Sequence, residues 1–244
     1  MAIDLNDKTA NGNNLTNTTA DEVTTGLPFA QSTIAALFVR ANSDRMTAAD
    51  SASTSITNTM TLEFWIKFTS ALSTITSFTE TMSKDNGTDQ RTWAQYVLPD
   101  GTVHMIIFGG GVNDDFYWSP TTNAGTWYHW AFTITPANAS ATTFEMFVNG
   151  TSQGNGTSTN SGNVASMTDS TQGITIGNRG DLGADYVDAT IDDIRIWNTI
   201  RTTAQIADNR SIELTGSESG LAVYWPYEAD LGAPAAGGGF FNYF

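Results

Sequence analysis

The sequence contains no cysteine, and this absence excludes several classes of protein at once. A chain without thiols cannot form a disulfide framework, a thiolate metal site or a cysteine nucleophile. Histidine is also scarce, with two residues in 244, so a zinc site built mainly from histidines is excluded. Charged residues make up 14% of the chain, which leaves Thr, Ser, Asn and Gly to supply most of the polar surface. This composition argues against charge-driven disorder and favours many strands joined by turns.

Basic residues are few, since ten Lys and Arg stand against 25 Asp and Glu, for a net charge of −15. Such a chain repels phosphates, which argues against a nucleic-acid or an anionic-membrane partner. Eighteen of the acids are Asp, a residue that suits turns and also oxygen-ligand cation sites. For any single Asp, a place in a turn or cap is the simpler interpretation.

Long apolar runs are missing as well. No stretch approaches the roughly 20 apolar residues of a membrane-spanning helix. Residues 1–14, MAIDLNDKTANGNN, lack a basic end followed by an apolar run, so we expect no signal peptide. We therefore expect the protein to be made and used without this kind of export.

The chain does contain apolar and polar residues that alternate with period two. Residues Met60–Phe68, MTLEFWIKF, place five apolar side chains on one face and Glu63, Trp65 and Lys67 on a face nearer water. Further strands are predicted at 34–39, 46–49, 92–98, 102–108, 126–135, 144–148, 174–177, 187–198 and 221–227. Loops are predicted at 1–33, 109–115 and 151–172.

One short helix is predicted at 204–210, with Thr202 or Thr203 as its N-cap. Many strands, one short helix and no alternation of strand and helix predict an all-β fold. We expect an antiparallel β-sandwich of two sheets.

The strand at 187–198, VDATIDDIRIWN, carries a carboxylate on the side that alternation makes buried. Asp192 falls on the same side as Ile194 and Ile196. A buried carboxylate is unfavourable unless it is hydrogen-bonded or holds a cation. Asp192 is therefore a candidate cation ligand, and hydrogen bonding to backbone N–H groups is the alternative.

Six stretches, in the right order, resemble the laminin-G-like jelly-roll family of the concanavalin-A-like lectin and glucanase group. They are ALFVRANSDRMTAADSAS, MTLEFWIKF, TWYHWAFTI, FEMFVNG, ITIGN followed by TIDDIRIWNTIRTTAQIADN, and GLAVYWPYEAD. The resemblance covers roughly residues 34–230 and implies a jelly roll there. It leaves 1–33 as an extended lead-in packed on the domain and 231–244 as a Gly/Ala-rich linker with an aromatic tail.

The same resemblance implies a structural calcium site. In the family, the Asp of this strand helps to hold Ca²⁺ with carbonyl oxygens from the N-terminal segment, and Asp192 is the matching residue. Calcium takes six to eight oxygen ligands, so companions are needed, and Asp4 and Asn6 are the predicted ones. The sequence departs from the family pattern at the first turn, residues 39–41, and this counts against a calcium site that depends on that turn. Residues 39–41 stand where the family often has an aromatic residue, Asp and Gly, so Arg40 replaces one carboxylate.

A carbohydrate site is predicted where two acids precede three aromatic residues, in DDFYW. Aromatic faces stack on sugar rings, and carboxylates accept hydrogen bonds from sugar hydroxyls. The candidate residues are Asp114, Asp115, Tyr117 and Trp118, together with Trp93 and Tyr96 from a neighbouring predicted strand. The alternative interpretation is an ordinary loop beside core aromatics.

Catalysis is not predicted. A glucanase of this fold needs paired carboxylates on one strand face, as in an E-x-D-x-x-E run, and no such run exists. Asp114 and Asp115 are adjacent, so in a strand they point to opposite faces. His104 and His129 are single histidines on strands, where packing or hydrogen bonding is the commoner role.

The predicted function is a non-catalytic binding or adhesion module that recognises a carbohydrate or another surface partner. The aromatic residues at the C-terminus are predicted either to dock on a partner or to fold back on the domain. These residues are Phe240, Phe241, Tyr243 and Phe244. The tail, the absence of cysteine and the absence of a signal peptide favour a decoration or appendage subunit at a virion or extracellular surface, which could form a homo-oligomer. A purely structural assembly protein is the second hypothesis, and a glycoside hydrolase is the third.

Overall fold

The computed structural model describes residues 3–17, 19–136, 143–180 and 184–228, and these residues fold mainly into β-strands. The strands are β1 (Leu15–Asn17), β2 (Asp21–Val23), β3 (Ala35–Phe38), β4 (Met46–Ala48), β5 (Met60–Phe68), β6 (Thr79–Asp85), β7 (Arg91–Val97), β8 (Val103–Gly109), β9 (Val112–Trp118), β10 (Tyr128–Thr135), β11 (Thr143–Val148), β12 (Thr151–Asn155), β13 (Thr157–Ser161), β14 (Ile174–Ile176), β15 (Ala189–Trp197) and β16 (Leu221–Trp225). Two short 3₁₀ helices, Arg40–Asn42 and Leu72–Thr74, follow β3 and β5.

The strands form two antiparallel sheets. Sheet I has the order β1-β4-β14-β6-β7-β8-β9-β13, and sheet II has the order β12-β11-β10-β5-β15-β3-β2, with β16 also paired to β15. The inner faces of the two sheets enclose one large apolar core, to which β5 contributes every second residue. The predicted all-β antiparallel sandwich with one short helix is therefore confirmed.

Most of the outer side of β5 is buried too, contrary to the expectation of a face near water, and of the three residues predicted there only Lys67 is partly exposed. Glu63 and Trp65 are 1% and 7% exposed. The Trp65 indole N–H donates to the carbonyl of Arg210 at 2.7 Å, and the Phe29 ring lies 6.1 Å from the Trp65 ring. A second layer of chain thus covers this part of sheet II, which alternation along one strand could not show.

Helix α1 (Thr203–Asn209) belongs to this covering layer. Thr202 is its N-cap, and a capping box joins the Thr202 side chain to Gln205 in both directions. Ile206 is fully buried against Ala131 and Phe147 of sheet II. The predicted helix and one of its two predicted caps are confirmed. No helix within the described part of the chain is long and apolar enough to cross a membrane.

A bulge in β15 overturns the predicted orientation of Asp192. Asp193 has φ +51°, and the register with β5 shifts between Asp192 and Arg195. Ile191 and Ile194 consequently both face the core, whereas Asp192 lies opposite Trp65 on the outer side. The assumption of unbroken alternation was wrong at this position.

Three predicted loops contain strands. Residues 109–115 include the start of β9, because Gly110 and Gly111, at φ +60° and +81°, make a tight turn after β8. The segment 151–172 contains β12 and β13, which form an edge strand of sheet II and an edge strand of sheet I, respectively. The lead-in contains β1 and β2, which pair with β4 and β3.

Candidate functional site

The six residues predicted to bind carbohydrate divide between the two faces of sheet I. Trp93 and Trp118 point inward and belong to the core. Asp114 is fully buried and accepts hydrogen bonds from the backbone N–H groups of Asn163 and Val164, both at 2.9 Å. These three side chains hold the sandwich together and offer little surface to a ligand.

The other three predicted residues meet on the outer face of sheet I. Asp115 of β9 accepts a hydrogen bond from the Tyr96 hydroxyl at 2.8 Å and another from the Thr159 hydroxyl at 2.6 Å. Its other oxygen lies 3.1 Å from Nδ1 of His104. Burial and the adjacent carboxylate raise the pKa of Tyr96, so the phenol remains a donor. Asp115 is therefore a well-anchored acceptor beside Tyr117.

Four rings form a row across the strands of this face. The centroid distances are 4.9 Å from Phe78 to Tyr96, 4.7 Å from Tyr96 to His104 and 5.5 Å from His104 to Tyr117. Their planes lie within 24° of parallel, so neighbouring rings cover each other's faces. The end rings, Phe78 and Tyr117, are half-buried. We call Phe78, Tyr96, His104 and Tyr117 the ring row.

The two ends of the ring row differ in charge and exposure. At the Phe78 end, the Arg179 guanidinium lies 6.0 Å from the ring centre and 3.9 Å from a carboxylate oxygen of Glu80. Burial, and then the charge of Asp85, raise the pKa of Glu80 to about 8. At the Tyr117 end, the ring is paired with Thr157 of β13, a strand whose residues are all exposed. The Tyr117 end is thus the one open to a neutral polar ligand.

One hydrogen-bond chain within the ring row has the connectivity of a nucleophile, a base and an acid. The Thr102 hydroxyl is 3.0 Å from Nε2 of His104, which in turn faces Asp115. However, the same hydroxyl donates to Asp100 at 2.5 Å. The N–H groups of Thr102 and Gly101 are also engaged, by Asp100 and by the carbonyl of Leu98. The hydroxyl proton and the nearest backbone donors are therefore unavailable for acyl-transfer chemistry.

The predicted calcium ligands occupy separate hydrogen-bond networks. The Asp4 carboxylate accepts from Asn6 and from the Lys8 ammonium. Asp192 accepts from the Ser32 hydroxyl at 2.5 Å and from the N–H of Asp193 at 2.8 Å. Across the described ranges, no group of three or more His, Asp or Glu side chains is placed to hold a metal ion.

Asp192 still fits a cation better than the other two residues do. Burial, and then the charge of Asp193, raise its pKa well above the ordinary range. A bound cation would offset this unfavourable ionisation, while Asp4 already has Lys8 beside it. Calcium binding through Asp192 stays a prediction.

The remaining predicted residues are packed or lie outside the description. His129 is 1% exposed, and its Nε2 is 3.5 Å from the buried Glu63, as expected for a structural histidine. The four aromatic residues predicted to dock on a partner lie outside the described residues, so that docking stays a prediction. These are Phe240, Phe241, Tyr243 and Phe244.

Two residues of the outer face were not predicted as ligands. His104 was treated as an isolated histidine, although its register opposite Tyr96 and Tyr117 follows from the hairpins on either side. Thr159 lies in β13, which contains only polar residues, so no alternation of apolar and polar residues marks it as a strand. Neither residue has a local pattern that distinguishes it from its neighbours.

A β-sandwich with aromatic and acidic side chains on the outer face of one sheet is an architecture of lectin-like domains. The family model described as the concanavalin A-like lectin/glucanases superfamily matches residues 40–207. The chain therefore belongs to this laminin-G-type family, and the resemblance of the six stretches is confirmed. No curated protein sequence matches the chain.

Solved structures of similar fold include toxin binding domains and a domain of an enzyme. The binding domain of Paraclostridial Mosquitocidal Protein 1 superposes with a TM-score of 0.61 at 14% identity, over 82% of this chain and 47% of that one. The botulinum neurotoxin serotype G binding domain gives 0.61 at 11% identity, over 82% and 46%. The chain thus spans about half the length of these two relatives.

Domain 4 of an extracellular arabinanase from Geobacillus stearothermophilus, solved with arabinotriose, gives a TM-score of 0.54 at 16% identity. The match covers 80% of this chain and 87% of that domain. At these identities, the three likenesses establish the fold.

Proposed function

We propose that this protein is a non-catalytic carbohydrate-binding module and that the glycan lies on the outer face of sheet I at the Tyr117 end of the ring row. The observation that carries this proposal is the position of Tyr117. Its half-buried ring lies next to the anchored carboxylate of Asp115 and beside β13, an edge strand whose residues are all exposed and uncharged. Tyr117 offers an apolar surface to the C–H groups of a sugar, and the exposed Thr159, which is held by its hydrogen bond to the buried Asp115, offers its hydroxyl oxygen to the sugar hydroxyls.

Two further observations support binding over catalysis. The engaged hydroxyl of Thr102 argues against a nucleophile beside His104 of the ring row. The arabinanase domain of similar fold was solved with an oligosaccharide, and the toxin domains are named for binding. The particle role, the surface location and the docking of the C-terminal tail remain predictions.

Replacing Tyr117 tests the proposed site. We expect Tyr117→Ala to weaken binding to the glycans recognised on an array by about tenfold or more, equivalent to about 1.4 kcal/mol. Trp127→Ala is the matched control, because Trp127 is also a half-buried aromatic but lies beside sheet II. Silence of the folded wild-type protein on a broad array, or equal binding by Tyr117→Ala, would contradict the proposal.

Chelation tests the calcium prediction. If calcium binds the native state at a hundred times its dissociation constant, it adds about 2.7 kcal/mol to the free energy of unfolding. For a domain of this size, that corresponds to a rise in Tm of about 5–10 °C. Asp192→Asn should abolish the difference between calcium and chelator, whereas Asp169→Asn, an exposed position, should retain it. If the wild type has the same Tm with calcium and with chelator, the prediction is contradicted.

A further inference from the structure

A small pocket lies at the end of the sandwich, where elements of both sheets converge. It is bordered by Arg40 after β3, Phe68 at the end of β5, Asp188 before β15 and Thr79 at the start of β6. Its volume is about 190 Å³, below the roughly 300–1,000 Å³ usual for drug-sized ligands. The pocket therefore has room for one small unit of a ligand.

The pocket carries one acid and one base, which lie side by side. The Asp188 carboxylate accepts a hydrogen bond from the backbone N–H of Arg40 at 2.7 Å, and its other oxygen is 3.5 Å from Nε of Arg40. Nη2 of Arg40 donates to the Thr79 hydroxyl at 2.5 Å. Both charged side chains are thus fixed in position.

The fixed pair retains unused hydrogen-bonding capacity at the mouth of the pocket. The Arg40 side chain is 32% exposed, and that of Asp188 is 44% exposed. A guanidinium has five N–H donors and a carboxylate about four acceptor positions, of which the contacts above use only some. The pair therefore presents donors and acceptors next to each other.

The rest of the lining is uncharged. It consists mainly of hydroxyl side chains, and Ile75 and Phe68 supply an apolar wall. Because Arg40 and Asp188 neutralise each other and the chain carries a net charge of −15, an anionic ligand is disfavoured. The ligand that complements this lining is a neutral molecule with adjacent hydroxyl groups and a C–H surface.

We infer that this pocket binds a single neutral sugar unit through a vicinal diol, one hydroxyl accepting from Arg40 and its neighbour donating to Asp188. The inference rests on the carbohydrate-binding function proposed above and adds a second site to it. Phe78, the first ring of the ring row, lies between the pocket residues Ser77 and Thr79 in the chain. The chain of the pocket lining therefore continues directly into the end of the ring row opposite Tyr117.

The test measures binding of single sugars to the full chain. Methyl glycosides of glucose, galactose, mannose and fucose serve as probes in ligand-observed NMR titrations, with glucuronate and inorganic phosphate as anionic probes. We expect at least one neutral glycoside to bind with a Kd of millimolar order. Its affinity should fall at least tenfold in Arg40→Met and in Asp188→Asn, and a deoxy analogue lacking one hydroxyl of the diol should bind correspondingly weakly.

Two further variants keep the result interpretable. Arg45→Met removes a nearby cation that does not line the pocket, so it should bind like the wild type. Thr76→Trp places a large ring at an exposed lining position and should block the pocket without disturbing the Arg40–Asp188 pair.

The outcomes separate this inference from the proposed function. If single sugars fail to bind, or bind equally to all variants, while Tyr117→Ala still weakens glycan binding, the pocket is not a sugar site and the proposed function stands. If glucuronate or phosphate binds in preference to every neutral glycoside, the pocket is an anion site and the inference is overturned. If the folded wild type binds no glycan of any length, both proposals fall.

Discussion

Replacing Asp7 by Ala should lower the free energy of unfolding by about 3–5 kcal/mol. The Asp7 carboxylate is buried and accepts five hydrogen bonds at 2.7–3.0 Å. The donors are the N–H and hydroxyl of Thr9, the N–H and amide of Asn13, and the N–H of Tyr224. Removing the acceptor leaves several buried donors without partners.

Asp7 has this effect because it joins the start of the chain to β16. The N–H of Lys8 also donates to the carbonyl of Tyr224, and the Trp225 indole donates to the carbonyl of Asn13. The carboxylate therefore holds the lead-in against a strand that is more than 200 residues away in sequence. Asp7→Asn should be nearly as damaging, since its amide group would face the donors of Thr9 and Asn13.

Urea denaturation measures this loss, with Asp21→Ala as the control because Asp21 is exposed in the same lead-in. The midpoint should shift strongly for Asp7→Ala and little for Asp21→Ala, with the denaturant slope unchanged if folding stays two-state. A change below about 1 kcal/mol in Asp7→Ala would show that the network is dispensable.

The sequence was most informative where a local pattern is sufficient to define an element. β5 matches its predicted bounds because five apolar residues alternate over nine positions. Thr202 was one of the two predicted N-caps of α1, and the structure shows it in a capping box with Gln205, three residues further on. In both cases, the determinants lie within one turn or one strand.

The sequence-based predictions fail where contacts with distant parts of the chain determine burial or side-chain orientation. β6, TETMSKD, reads as polar, yet it is completely buried because strands lie on both sides of it and other chain segments cover it. Period-two reasoning could not detect the bulge at Asp193, which reverses the side of Asp192. Glu63 and Arg195 are charged residues buried under the layer that includes α1, and no property of their own strands reveals that layer.

In the candidate site too, a local pattern predicts some features, whereas strand pairing and long-range contacts determine the others. The opposite directions of Asp114 and Asp115 follow from strand alternation alone, and the structure agrees. Which of the two faces the core depends on the pairing of β9 with β8 and β13. The contact between Arg40 and Asp188 joins residues 148 positions apart, so a sequence pattern cannot predict it.

Stability should fall by about 2–3 kcal/mol between pH 6.5 and pH 8, the reverse of ordinary acid denaturation. Burial raises the pKa of Glu80 to about 8 and that of Glu63 to about 7, from an ordinary value of 4.5. The folded state therefore binds these protons more tightly than the unfolded state. Raising the pH through the window ionises the two acids in the folded protein, so the stability present at lower pH is lost.

His129 acts in the opposite direction, but only at lower pH. Burial lowers its pKa well below the ordinary 6.5, so acidification below 6.5 protonates the unfolded state first and favours unfolding. Between pH 6.5 and 8, the two buried glutamates dominate. The pKa of Asp192 is also raised by burial, so its effect on stability has the same sign. Stability should therefore be higher at pH 6.5 than at pH 8.

Glu80→Gln should remove most of this decline, because an amide of nearly the same shape cannot ionise in the buried site. Glu63→Gln should remove a smaller part, since the pKa of Glu63 lies closer to the start of the window. Glu213→Gln, at an exposed position, should leave the slope unchanged. Unfolding in urea at pH 6.5, 7 and 8 distinguishes the three variants. If Glu80→Gln declines as steeply as the wild type, the charge of Glu80 is already balanced in the folded state, and Arg179, 3.9 Å away, is the group that balances it.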